Sequence, residues 1–180
     1  MKKTILFLLF TFLVIIAKAQ VDTVCYRSTT STYQVPNVAG NTYNWTVATP
    51  GIITSGQGTN IITVNWGTAN PGLITNAVSV FATNQFGCVS PPVLLDVFVL
   101  NIVPTVAPIE LCFGQPCVTL SGTPAGGTWS GIGVNGNQFC PIAIGNSTIT
   151  YTYSLGGCVF TATGTAVVNP LPTISPIQHD

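Results

Sequence analysis

Beyond residue 20, apolar and small polar side chains alternate with a period of two, and no segment sustains a helical period. Tyr43, Trp45 and Val47 point one way, with Asn44 and Thr46 between them. Ile62, Val64 and Trp66 repeat the pattern, followed by Val78, Val80 and Ala82 and then the run Leu94 to Leu100. Further on, Val118 and Leu120 alternate with Thr119 and Ser121. Ile149, Tyr151 and Tyr153 alternate with Thr150 and Thr152, and Phe160, Ala162 and Gly164 with Thr161, Thr163 and Thr165. Because a strand directs successive side chains to opposite faces, each run reads as a strand with one buried face. Turn signals separate the runs: Ala39-Gly40-Asn41, Thr49-Pro50-Gly51, Asn70-Pro71-Gly72, Pro124-Ala125-Gly126-Gly127 and Gly156-Gly157. Short strands punctuated this densely predict an all-β fold of sandwich type.

The first residues predict export. Lys2 and Lys3 precede an apolar stretch from Thr4 to Ala17, and Ala17-Lys18-Ala19 supplies the small-x-small pattern of a cleavage site. The stretch falls short of the roughly 20 apolar residues of a spanning helix, so 1–19 reads as a signal peptide rather than an anchor. The mature chain then begins at Gln20. No Cys sits at the cut to carry a lipid, and the protein is expected to be secreted or held at the outer cell surface.

Removing 1–19 leaves Arg27 as the one basic residue against Asp22, Asp96, Glu110 and Asp180. Such a surface offers nothing to nucleic acid or to anionic lipid, which excludes nucleic-acid partners and a membrane role after signal removal. Solubility rests on the hydroxyls and amides of Thr, Ser and Asn.

All six cysteines lie beyond the signal: Cys25, Cys88, Cys112, Cys117, Cys140 and Cys158. An even number in an exported chain reads as disulfides. Cys25 and Cys88 bracket the first half, and the other four lie in the second. If each half closes on itself, the pairs are Cys25–Cys88, Cys112–Cys158 and Cys117–Cys140, the outer pair tying a first strand to a late one. Zinc fits poorly. Cys112 and Cys117 have a ligand-like spacing, but no second pair follows and the one His is His179, near the end.

A loose internal repeat supports division into halves. Gly87-Cys88 and Gly157-Cys158 each follow an alternating strand and precede a last apolar segment. Asn101-Ile102-Val103-Pro104-Thr105 and Asn169-Pro170-Leu171-Pro172-Thr173 then share Asn-x-x-Pro-Thr. A Pro-containing exit after a last strand makes a short, stiff linker. The expected organisation is a first β-sandwich module at 21–102, a linker at 103–107, a shorter second module at 108–169 and a Pro-containing tail or linker at 170–180. That second exit leads only to Ile177-Gln178-His179-Asp180, which raises the expectation of a longer array beyond it.

These residues resemble a known family. Tyr33-Gln34-Val35-Pro36, Gly40-x-x-Tyr43-x-Trp45-x-Val47, Ser55-Gly56-Gln57-Gly58-Thr59-Asn60, Ile62-x-Val64-x-Trp66 and Gly87-Cys88 resemble PKD-like modules of bacterial gliding-motility-associated, adhesin-like surface proteins. The second half resembles the repeats that accompany them. It does so through Leu111-Cys112-x-Gly114, the stretch from Leu120 to Gly131, and Tyr151-x-Tyr153 before Gly157-Cys158. The resemblance implies Ig-like sandwiches in tandem and an architectural role, with neighbouring modules, surface glycans or other surface proteins as partners. Cys117 and Cys140 look like an addition to the single pair usual in such modules.

Chemistry finds few carriers. Catalysis by acid and base, or by nucleophile and base, needs paired groups. Asp22 and Asp180 are terminal, Asp96 sits in a strand pattern, Glu110 lies between the halves, and no Cys has a His near it. The glycines of Gly131-Ile132-Gly133 lack the lysine and the strand–helix context of a phosphate loop. No cofactor is expected, and the chain reads as no enzyme. Trp45 and Trp66 lie within apolar patterns and read as core, Trp45 as the tryptophan that packs on the disulfide of an Ig-like sandwich. Trp129, flanked by Thr128, Ser130 and Gly131, is the candidate ligand-contact aromatic. The expected function is therefore a non-catalytic extracellular spacer or adhesive module, with a carbohydrate-binding accessory module as the rival.

Overall fold

The computed structural model describes residues 20–179. The signal peptide expected over 1–19 and Asp180 lie outside them. Among the described residues there is no helix, and none long and apolar enough to cross a membrane. Seven strands make up the first half: β1 Val21–Cys25, β2 Ser31–Gln34, β3 Thr42–Val47, β4 Ile52–Ser55, β5 Ile61–Asn65, β6 Gly72–Thr83 and β7 Val93–Leu100. Two sheets result, ordered β1-β7-β6-β3 and β2-β5-β4. β1 runs parallel to β7, with Val21 opposite Asp96 and Cys25 opposite Leu100, and the other pairs are antiparallel.

Alternation decides what lies between these sheets. Tyr43 and Trp45 on β3, Ile62 and Val64 on β5, Val78 and Val80 on β6, and Val97 and Val99 on β7 face inward, joined by Tyr33 and Trp66. The buried polar atoms of this core are paired. Trp66 Nε1 donates to Tyr33 Oη at 3.0 Å, and Trp45 Nε1 donates to the Thr59 carbonyl at 2.8 Å. Tyr43 Oη donates to the Pro36 carbonyl at 3.1 Å and accepts from Val38 N at 2.8 Å, which fixes the loop before β3. Glycine is needed where backbones crowd. A Cβ on Gly51 would lie 2.5 Å from Trp66 Cζ3, so the turn after β3 can close over the indole only without a side chain.

The second half contains β8 Thr105–Val106, β9 Ile109–Cys112, β10 Val118–Thr119, β11 Gly122–Thr123, β12 Thr128–Gly131, β13 Val134–Asn135, β14 Gln138–Phe139, β15 Gly145–Leu155 and β16 Cys158–Asn169. Its sheets are ordered β12-β15-β16-β9 and β10-β14-β13, with β8 paired to β11. Apart from the added β8–β11 pair, this repeats the topology of the first half. β9 runs parallel to β16 as β1 does to β7, β16 and β15 form a long hairpin as β7 and β6 do, and the three-stranded sheet has the same order. A separate core of Leu120, Phe139, Ile149, Ala166 and Val168 fills it, with Val106 and Trp129 packed against that core. Val106 lies within the expected linker at 103–107, so that stretch contributes a strand and a core contact to the second half.

Both long hairpins carry the Gly-Cys pair that marked the sequence repeat: Gly87-Cys88 between β6 and β7, Gly157-Cys158 between β15 and β16. The Pro-containing exits, Asn101 onward and Asn169 onward, leave from equivalent last strands.

Candidate functional site

The cysteines depart from expectation and define the most distinctive site. Cys25 is bonded to Cys158, with Cα atoms 5.4 Å apart and a sequence separation of 133, so the bond joins the two halves instead of closing either. Cys117 and Cys140 are bonded, at 4.1 Å. Cys88 is free and exposed, and Cys112 is free and half-buried. The expected pairs Cys25–Cys88 and Cys112–Cys158 are corrected by strand direction. Because β1 is parallel to β7, Cys25 ends up beside Leu100, at the opposite end of the strand from Cys88. Twelve residues of extended chain span roughly 40 Å, whereas a disulfide needs Cα atoms within about 7 Å. The same holds in the second half, where Cys112 lies opposite Asn169, at the far end of β16 from Cys158.

Strand direction also explains the bond that does form. The end of the first half that carries Cys25 is the end from which the chain exits. It therefore faces the β15–β16 hairpin of the second half. A Cβ on Gly156 would stand 3.6 Å from Leu100 Cδ2 and 3.7 Å from Thr23 Cγ2, so the tip of the hairpin rests against the ends of β7 and β1. Cys158 is 1% exposed. Around Cys25 the backbone turns tightly. Ser28 N donates to the Cys25 carbonyl at 2.9 Å, Arg27 takes φ 65°, and its guanidinium carbon stands 5.3 Å from the Tyr26 ring centre.

The tryptophans divide. Trp45 and Trp66 are 3% and 0% exposed and belong to the first core. The disulfide imagined against Trp45 is absent from that core, since Cys25 is bonded at the junction. Trp129, the candidate ligand contact, is half-buried. Its ring lies 4.6 Å from that of Tyr151, and with Leu120, Ser121, Gly127 and Asn137 the pair lines a shallow groove. Tyr151 Oη donates to the Pro124 carbonyl and accepts from Gly127 N at 2.7 Å, so the groove is held by the Pro124–Gly127 turn.

Two of the acids make hydrogen bonds to neighbouring strands. Asp96 Oδ1 accepts from Asn76 N at 2.7 Å, where φ 50° at Asn76 shifts the register of β6 against β7. Glu110 Oε1 accepts from Asn169 Nδ2 at 2.8 Å. No three of the His, Cys, Asp and Glu among the described residues gather to hold a metal ion. The strongest electrostatic effect is on Tyr33, whose phenol is pushed up to about 12, first by burial and then by the charge of Asp22.

Sequence comparison agrees with this architecture in the first half. Residues 13–95 match the family model of the PKD-like domain. The N-terminal half is thus similar to a PKD-like module. No curated protein sequence matches the chain. Among solved structures, the fibronectin(III)-like modules of CbhA from Clostridium thermocellum share 15% identity, covering 91% of this chain and 97% of that one, at a TM-score of 0.40. Extracellular domains 3–5 of Drosophila OTK share 13%, covering 84% and 60%, at 0.32, and mouse cadherin-23 EC22–24 shares 14%, covering 85% and 63%, at 0.30. Overlaps at this level assign neither fold nor function.

What the sequence reading missed was the pair of turns that hold Cys25 and Cys112. Val24-Cys25-Tyr26 and Leu111-Cys112-Phe113 share an apolar–Cys–aromatic signature. The outer pairs expected from sequence already treated Cys25 and Cys112 as counterparts; what they missed was that Cys25 bonds across the halves to Cys158.

Proposed function

We propose that the chain is a non-catalytic, exported structural segment: two PKD-like/Ig-like β-sandwich modules in tandem that act as a stiff spacer in a bacterial cell-surface protein, of the kind associated with gliding motility. The first module would span 21–102, and the second would begin at Thr105, with β8, and end at Asn169. The observation that carries the reading is the Cys25–Cys158 bond, which fastens the exit end of one sandwich to the facing hairpin of the next. A joint closed in this way resists bending, as a spacer between surface modules requires.

Surface chemistry supports the same reading. The outer face of the second large sheet is a polar lattice of Thr128, Ser130, Thr148, Thr150, Thr152, Thr161, Thr163 and Thr165. Two of the three tryptophans are spent on the core. A glycan array probed with the protein and with Trp129→Ala tests the function. The spacer reading expects no glycan bound above background by either. Selective glycan binding that Trp129→Ala abolishes would establish the carbohydrate-binding alternative instead.

A further inference from the structure

The bond between the halves uses one end of each half, and the unused ends carry the same two fittings. Cys112 reproduces the setting of Cys25. Each is the last residue of the strand parallel to its module's final strand, opposite that strand's last residue, Asn169 or Leu100. The following aromatic residue donates its N–H to that last residue's carbonyl: Tyr26 to Leu100 at 2.8 Å, Phe113 to Asn169 at 2.9 Å. Three residues on, Ser28 N donates to Cys25 O at 2.9 Å and Gln115 N to Cys112 O at 3.2 Å. Between them, Arg27 and Gly114 share a left-handed backbone, φ 65° and φ 80°. The turn is the same in these backbone features.

Cys88 corresponds to Cys158 in its place in the hairpin between the last two strands. Each follows a glycine of positive φ, Gly87 at 81° and Gly157 at 79°, and stands opposite the rising arm, Cys88 O accepting from Asn84 N at 3.0 Å and Cys158 pairing with Leu155; Cys158 opens β16, whereas Cys88 precedes β7 and is exposed. Cys25 and Cys158 are bonded, while Cys88 and Cys112 are free. Since the first half's exit end meets the second half's hairpin end, Cys88 and Cys112 lie at opposite ends of the two described halves. Within one chain they cannot meet.

We infer that Cys112 of one copy pairs with Cys88 of a second copy, repeating the Cys25–Cys158 joint between molecules and building a covalent head-to-tail chain. This inference rests on the two halves being repeats of one module. A contact between two different surfaces of the same protein does not close on itself, so each copy can engage a neighbour at both ends. The occupant follows from the internal joint, which shows that this turn accepts this hairpin. The surfaces to be joined also offer apolar area: Phe86, two residues before Cys88, is 80% exposed, and Phe113, next to Cys112, is 40% exposed.

The chemistry is thiol–disulfide exchange with a small disulfide oxidant RSSR. The Cys88 thiolate attacks RSSR, forming Cys88–S–SR and releasing RS⁻. The Cys112 thiolate of the second copy then attacks the Cys88 sulfur, forming the new bond and releasing the second RS⁻. The two protons lost by the cysteines end on the two RSH, and the two electrons reduce RSSR. Exposed Cys88 is the accessible partner for the first step.

The test incubates the chain with oxidised glutathione and reads non-reducing gels and chymotryptic peptides by mass spectrometry. A ladder of dimers and higher species is expected, with a Cys88–Cys112 cross-link. Cys88→Ser and Cys112→Ser should each lose every species above monomer, and an equal mixture of the two should stop at dimer. Dimers formed by either variant alone, a Cys88–Cys88 or Cys112–Cys112 cross-link in the wild type, or a wild type that stays monomeric would overturn the inference. The same digest separates this from the reading beneath it. If Cys25–Cys158 is found while Cys88 and Cys112 remain unpaired with each other, only the intermolecular joint fails. If Cys25–Cys158 is missing, the tandem joint itself fails.

Discussion

Cys25 stands opposite Leu100 at the exit end of the first sandwich and is bonded to Cys158, which opens the last strand of the second. One strand direction accounts for both facts. A first strand parallel to the last places its C-terminal residue where the chain departs, facing whatever module follows. A cysteine there is poorly placed for a partner in its own module and well placed for one in the next.

The Cys25–Cys158 bond fixes the joint more than the cores. Each half has its own buried cluster, so Cys25→Ser combined with Cys158→Ser should leave both folded. The stability lost should stay within about 2–5 kcal/mol, the usual range for removing a native disulfide. Small-angle scattering should report a larger radius of gyration for the double variant, because the halves then reorient about 101–104. An unchanged scattering curve would show that the bond contributes no stiffness.

Tyr33 and Trp66 should behave as a coupled pair. Tyr33→Phe removes the acceptor of the buried Trp66 indole N–H and should cost about 1–3 kcal/mol in chemical denaturation. Trp66→Ala leaves a cavity at a fully buried site and should cost about 3–5 kcal/mol.

Tyr33 also predicts how stability falls in alkali. Its phenol titrates near 10.0 when unfolded and is raised to about 12 in the fold, so the folded state holds the proton more tightly. Its contribution is complete below the unfolded value and is lost as pH rises from about 10 towards about 12. Tyr33→Phe should flatten the stability profile across that window, as followed by denaturant titration. A profile unchanged by the substitution would place the alkaline loss elsewhere.

Gly51→Ala should destabilise the first half by about 1–3 kcal/mol, since the new methyl would press on Trp66 and Val47. Gly58→Ala is a comparison of a different kind. Nothing lies within 4 Å of its added methyl, so any loss there comes from φ 89° alone. Thermal unfolding of the two variants separates crowding from backbone strain.

Period-two alternation made the strands legible because burial on one face of a sheet leaves its mark on every second residue. Tyr43, Trp45, Ile62, Val64, Ile149 and Tyr151 lie where that pattern puts them. The repeat of Gly-Cys was also legible, and it falls on equivalent hairpins. Pairing of the cysteines was not, because it depends on whether the first strand runs with or against the last. Parallel and antiparallel partners leave the same alternation in the sequence. Two-residue strands such as Thr105–Val106 were hidden as well, being too short to show a period. Trp129 read as a loop aromatic from its Gly and Ser neighbours. Its packing on Tyr151 arises across β12 and β15, a contact that local sequence does not express.

The most direct test of the account is a disulfide map of the full chain digested without reduction. The peptide containing Cys25 should be found cross-linked to the peptide containing Cys158, with Cys117 joined to Cys140 in the same digest. A peptide joining Cys25 to Cys88 would contradict it, because that bond closes the first sandwich on itself and leaves nothing to fasten it to the second.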